Sequence, residues 1–248
     1  MRLYIFISIL VFALLTSASR TVEAQQTIFN VPSAYVLDSG TIYFENDWYL
    51  RPWMTVSDKA SVTSIRGVVG VGKNVELGIN TGTYDLLHKN NPFIDAVVKW
   101  RPLHHEFGKT DLGAVDIYGG SHFGIGLHGD SAGKGRNLTY GAISIASPLI
   151  KTRIGIGPYF ATSQVFGSSA RGGVLTTFEQ PIPGIDGLLL AADWFSGDGG
   201  YVTPGIIYTK KWFSLYAGYG FANIGRADDL ITLEMGVTIP LKRVSAQN

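Results

Sequence analysis

Val75-Glu76-Leu77-Gly78-Ile79-Asn80-Thr81 alternates apolar and small or polar residues, and Ile231-Thr232-Leu233-Glu234-Met235-Gly236-Val237-Thr238-Ile239 does the same near the other end of the chain. Side chains of a strand point alternately to opposite sides, so each stretch has one greasy and one polar face. Segments of about ten residues with this pattern, separated by turn residues, recur from residue 41 nearly to the end. The pattern predicts an all-β chain: a transmembrane, antiparallel, up-and-down β-barrel of about twelve strands spanning a bacterial outer membrane.

The first residues predict export. Arg2 supplies a positive charge, Leu3 to Leu15 is apolar apart from Ser8, and Val22-Glu23-Ala24 offers small residues for cleavage. The expected organisation is a signal peptide over 1–24, a periplasmic segment over 25–40, the barrel over 41–240 and a polar tail over 241–248. The apolar run is short for a spanning helix and ends in a polar region. There is no cysteine, which removes lipoprotein anchoring at the cleavage site and disulfide staples. With 31 glycines the chain suits a curved sheet, and a net charge of +1 offers no footprint for nucleic acid.

Candidate strands fall near 41–50, 61–71, 74–82, 93–101, 112–122, 137–147, 152–161, 171–180, 187–196, 201–209, 212–221 and 229–239. An even number lets both termini lie on the periplasmic side. Gly72-Lys73-Asn74 and Lys210-Lys211 read as tight periplasmic turns. Alternate links are longer, over 51–60, 83–92, 123–136 and 221–228. The link over 102–111 departs from this rule, being long for a periplasmic turn. Trp48, Trp100, Trp194 and Trp212 fall near strand ends, with Trp53 just beyond one, as an aromatic girdle at the lipid headgroups requires. Trp48 and Trp194 are expected at the outer rim, Trp100 and Trp212 at the inner.

Strand parity separates the charges from the apolar residues. Ile42, Phe44, Ile94, Val98, Val115, Ile117, Ile154, Ile156, Phe160, Leu188, Leu190, Phe213 and Leu215 share the lipid-facing phase with Trp48 and Trp100. Glu45, Asp47, Glu76, Asp95, Asp116, Glu179, Asp193 and Glu234 fall on the opposite phase, with Arg66, Lys99, Arg153 and Arg171. A lipid-facing Arg or Lys costs about 2–4 kcal/mol at the midplane, which explains the segregation. These residues are expected to line the lumen, where eight acids against four bases favour cations if it is open. The same groups could instead cross-link a sealed polar core.

Enzymatic motifs are weak. His122 and His128, with Ser121, Asp130 and Ser131, flank one predicted surface loop and make the best hydrolase cluster, without diagnostic spacing. His88 stands alone, and His104-His105-Glu106 lacks the second histidine of an HExxH zinc site. Gly70-Val71-Gly72-Lys73 has neither the spacing nor the helix of a phosphate loop and reads as a hairpin turn. No catalytic residue, metal ligand or cofactor is assigned.

Phe29-Asn30-Val31-Pro32-Ser33, Val36-Leu37, Gly40 and Tyr43-Phe44-Glu45 resemble the start of uncharacterised bacterial outer-membrane β-barrel proteins of porin-like fold. Glu179-Gln180-Pro181, Ala192-Asp193-Trp194-Phe195-Ser196-Gly197, Thr203-Pro204-Gly205 and Leu215-Tyr216-Ala217-Gly218-Tyr219 are similar to later strands of that group. The resemblance covers most of the chain after residue 24 and implies a porin-like fold with no established activity. In one departure, Thr238-Ile239-Pro240-Leu241 and a polar tail stand where many such barrels end on an aromatic.

The expected function is a passive channel for small polar solutes or ions. Glu45, Asp47, Asp95, Asp116, Asp193 and Glu234 line its acidic side, opposed by Arg66, Lys99 and Arg153. Its expected partners are outer-membrane lipids, the barrel-assembly machinery and the solutes themselves; oligomeric state is left open. The alternatives are a surface hydrolase and a closed-lumen structural or interaction barrel, with a soluble secreted β protein as the rival fold.

Overall fold

A computed structural model describes residues 27–51, 62–84, 91–107, 113–166, 172–224 and 229–241. The signal peptide, Trp53, His88, Arg171 and the tail from 242 lie outside the described residues.

Alternation becomes twelve strands. They are β1 (Thr41–Leu50), β2 (Val62–Val71), β3 (Val75–Tyr84), β4 (Asn91–Glu106), β5 (Ala114–Gly126), β6 (Gly135–Ala146), β7 (Arg153–Ala161), β8 (Gly172–Pro181), β9 (Leu188–Phe195), β10 (Tyr201–Lys210), β11 (Phe213–Ala222) and β12 (Leu230–Pro240). Each pairs antiparallel with its sequence neighbours, and β12 returns to β1 from Thr41↔Pro240 to Leu50↔Ile231, closing the barrel. Closure uses backbone donors and acceptors, so β12 needs no terminal aromatic to complete it. It also leaves no unpaired edge, which hydrocarbon does not tolerate.

The link expected over 102–111 is a correction. β4 runs on to Glu106, with its register against β5 shifting between Trp100 and Leu103. Pro102 cannot donate to a ladder, but a bulge leaves its position unpaired and lets the strand resume. Likewise β5 and β6 extend into the expected 123–136 loop, which retains a turn of 3-10 helix at Gly129–Ser131. A four-residue helix, α1 (Ser163–Phe166), follows β7. No helix among the described residues is long and apolar enough to cross a membrane.

One barrel end carries the tight turns. Gly72 and Asn74 take positive φ of 65° and 77° between β2 and β3, and Lys211 takes 57° between β10 and β11. Positive φ is what two strands this close require, and Gly and Asn adopt it at least cost. The longer connections gather at the opposite, loop end.

The wall separates two environments. Ile65, Ile79, Ile154, Ile156, Phe44 and Phe123 are about half exposed on the outside, while Glu45, Asp47, Glu76, Asp116 and Glu234 are buried inside. Charges gathered inside and large apolar side chains exposed outside reverse the placement of a soluble protein. Such a closed barrel belongs in the hydrocarbon of an outer membrane.

Candidate functional site

The described charges on the phase opposite the lipid-facing residues are buried, Arg153 partly so, and register decides which of them meet. Glu45 and Arg66 are partners across β1 and β2, and their side chains make an ion pair at 3.0 Å. Glu76 and Lys99 are partners across β3 and β4 at 3.7 Å. Arg153 pairs with Asp116 and reaches Glu179 at 4.0 Å. Asp95 is held by Arg136 at 3.1 Å. Removing one member of such a pair strands a buried charge, whereas the intact pair contributes little net stability.

Arg136 and Arg101 were not anticipated. Arg136 opens the extension of β6, and Arg101, within the bulge of β4, lies 3.5 Å from Asp116 of β5. Carrying strand parity two residues outward from Leu138 finds Arg136; the bulge, invisible to a parity count, conceals the strand beyond Pro102.

The interior also contains the start of the described chain. Residues 27–40, expected as a periplasmic segment that could tuck into the periplasmic mouth as a partial plug, rise inside the barrel from Gly40 at the turn end into its loop half. Leu37 N–H donates to the Glu76 carboxylate near the turn end. At the top, Ile28 N–H bonds Val31 C=O at 2.9 Å to make a tight turn. The backbone N–H groups of Phe29, Asn30 and Val31 all donate to Asp193 Oδ2, at 3.0, 2.5 and 2.7 Å. The Asn30 side-chain amide reaches Thr203 at 2.9 Å.

Burial explains the depth of the segment. Ile28 and Phe29 pack with Ala191, Ile207 and Tyr216, and Val31 packs with Tyr118, Leu138, Tyr159, Leu175 and Phe195. A twelve-strand wall is too wide to fill with its own side chains, and these apolar residues complete the filling. The wall makes room where a Cβ at Gly205 or Gly218 would meet the Phe29 ring at 2.5 or 3.0 Å. The result is a plug, continuous with β1 and latched by one carboxylate.

Asp47 and Glu234 oppose each other directly in the β1–β12 register. Asp47 accepts from Ser64 at 2.6 Å and Glu234 from Thr232 at 3.2 Å. With Glu45 they form a buried cluster in which one carboxylate oxygen from each lies within 4.8 Å of the others.

The tryptophans lie towards the barrel ends. Trp100 and Trp212 are about half exposed near the tight turns. Trp48 and Trp194 are on the outward phase nearer the loops, where the Trp194 indole N–H donates to Asn223 at 3.0 Å.

The expected hydrolase cluster is divided by the strand itself. Ser121 and His122 are neighbours in β5, so they point to opposite faces. Ser121 faces outward, its hydroxyl 2.9 Å from that of Thr139, while His122 lies on the same phase as buried Asp116 and Tyr118. His128 is in the exposed loop beyond. His104, near the other end, lies 2.6 Å from Asp116 and 3.0 Å from Glu106, while His105 turns away to meet the Phe107 ring.

No protein-family profile matches this chain, and no curated protein does. Solved structures give distant likenesses. The outer membrane phospholipase A of Escherichia coli aligns at 11% identity and a TM-score of 0.47, over 83% of this chain and 93% of that one. The Salmonella typhi outer membrane phospholipase dimer with bound calcium aligns at 10% and 0.48, over 83% and 92%. Ail, the attachment invasion locus protein of Yersinia pestis, gives 9% and 0.17, over 80% and 95%. Likenesses at this distance bear on neither activity nor ligand.

Proposed function

We propose that the protein is a plugged channel of the bacterial outer membrane, closed at rest by its residues 27–40. Small polar solutes or ions pass when that segment withdraws. The observation that carries this reading is the latch of three consecutive backbone amides on Asp193. Here the filling is one segment, joined to β1 at Gly40 and held inside by a single carboxylate and apolar contacts.

Withdrawal opens a passage lined by Glu45, Asp47, Asp95, Asp116, Glu179, Asp193 and Glu234, against Arg66, Lys99, Arg136 and Arg153. The acid excess favours cations. In this reading the tight turns face the periplasm, Trp100 and Trp212 mark the inner interface, and Trp48 and Trp194 mark the outer one.

The test is planar-bilayer conductance of the protein with residues 1–24 removed. The intact chain is expected to give rare steps. Deletion of 27–36 and, separately, Asp193→Ala are expected to give frequent steps with a cation-biased reversal potential. If the deleted barrel folds, migrates as heat-modifiable and stays silent, the channel reading fails. The sealed interior would then favour a structural or surface-interaction barrel. Turnover of lipid or peptide abolished by His128→Ala would instead support a surface hydrolase.

A further inference from the structure

The strongest unexplained feature lies at the seam between the first strand and the last. Glu45 and Asp47 alternate on the inner face of β1, and Glu234 is the register partner of Asp47 in β12. All three are at most 2% exposed. We infer that Glu45, Asp47 and Glu234 form a binding site for a hard divalent cation, which ties β12 to β1.

Three observations carry the inference. The first is charge. Arg66 lies 3.0 Å from Glu45 and is the guanidinium paired with this cluster. Three ionised carboxylates facing one guanidinium would leave two negative charges in a buried place, and like charges opposed across a strand pair repel. A proton shared between two carboxylates cancels one charge; a divalent cation cancels both.

The second is the set of unused acceptors. Asp47 Oδ1 and Glu234 Oε2 are buried and have no hydrogen-bond partner among the described residues. Their companion oxygens are held by the hydroxyls of Ser64 and Thr232. The Tyr43 hydroxyl holds Glu45 Oε2 in the same way, at 2.7 Å. Asp47 and Glu234 are thus each oriented by one oxygen, while Glu45 is held at both, by Tyr43 and Arg66. In Asp47 and Glu234 the other oxygen is buried with no hydrogen-bond partner among the described residues, an arrangement that serves ligation because outer donors fix the ligands.

The third is reach. One oxygen from each carboxylate lies within 4.8 Å of the other two, close enough for a single ion to touch all three. Calcium, which binds oxygens at about 2.3–2.6 Å and accepts irregular oxygen sets, is the probe the arrangement suits.

The experiment uses the protein with residues 1–24 removed, refolded in micelles free of lipopolysaccharide. Its urea midpoint is read by tryptophan fluorescence in EDTA and across a calcium chloride titration. Calcium is expected to raise the midpoint saturably, and terbium chloride to give luminescence sensitised by Tyr43 that calcium displaces. Glu234→Gln and Asp47→Asn should each abolish the rise and the displaceable luminescence. In EDTA each should be at least as stable as the parent chain, since each removes a repelling charge; either variant suffices if the other fails to fold.

Equal midpoints in calcium and EDTA, with no displaceable terbium signal, would mean that the cluster takes protons and would overturn the inference. A calcium effect that persists undiminished in both variants would place the ion elsewhere and overturn it equally.

Discussion

Arg66 concentrates the electrostatic risk of the interior at one residue. It is buried, pairs with Glu45 and lies across the wall from Asp47 and Glu234. Replacing it with Met keeps much of its volume and removes the one positive charge that, among the described residues, is paired with that cluster. Removing one partner of a buried pair typically costs about 3–5 kcal/mol. Arg66→Met is therefore expected to lower unfolding stability by about that amount in urea. A second change, Glu45→Gln, should recover much of the loss, as a double-mutant cycle will show. The charge of Arg66 and its inward phase are legible in the sequence, because strand parity is local. Its partner is not, since a one-residue change of register would turn the whole strand over.

At the scale of elements, the plug and the wall it rests on were built for each other. Gly218 of β11 faces the Phe29 ring, and a Cβ there would meet side-chain atoms of Phe29, Thr203 and Thr232 at 3.0 Å. The three nearest atoms are all side-chain atoms, so Gly218→Ala crowds the plug and its neighbours in the wall together. The expected cost is about 1 kcal/mol by overpacking. A Phe29→Ala background should remove the share owed to the ring and leave the share owed to Thr203 and Thr232, with hydrogen exchange at residues 29–31 reporting whether the segment has moved. The strands themselves were readable nearly to the residue. Those read too short were β4, β5 and β6, where a bulge, a proline and loop-like glycines interrupt alternation without ending the ladder.

For the whole molecule, the question is which solvent meets the outer wall. Ile79 is 56% exposed in mid-strand, and Leu149 is 90% exposed in the β6–β7 turn. In water, an arginine at either place would change stability by about 0.5 kcal/mol or less. In a bilayer, Ile79→Arg should cost about 2–4 kcal/mol if it lies near the midplane, while Leu149→Arg costs little. Unfolding of both variants from phospholipid vesicles measures the difference, and equal small effects would remove the membrane from the picture.

Alternation along the chain determined the strands, their number and the face each charge occupies, because the direction of a side chain in a strand follows from local covalent geometry. Only the tertiary structure decided that Asp193 holds the backbone of residues 29–31, and that Asp47 faces Glu234. These contacts join residues more than 150 positions apart, brought together by barrel closure and register. Neither is encoded in any short window, because both depend on how a dozen strands add up around a ring.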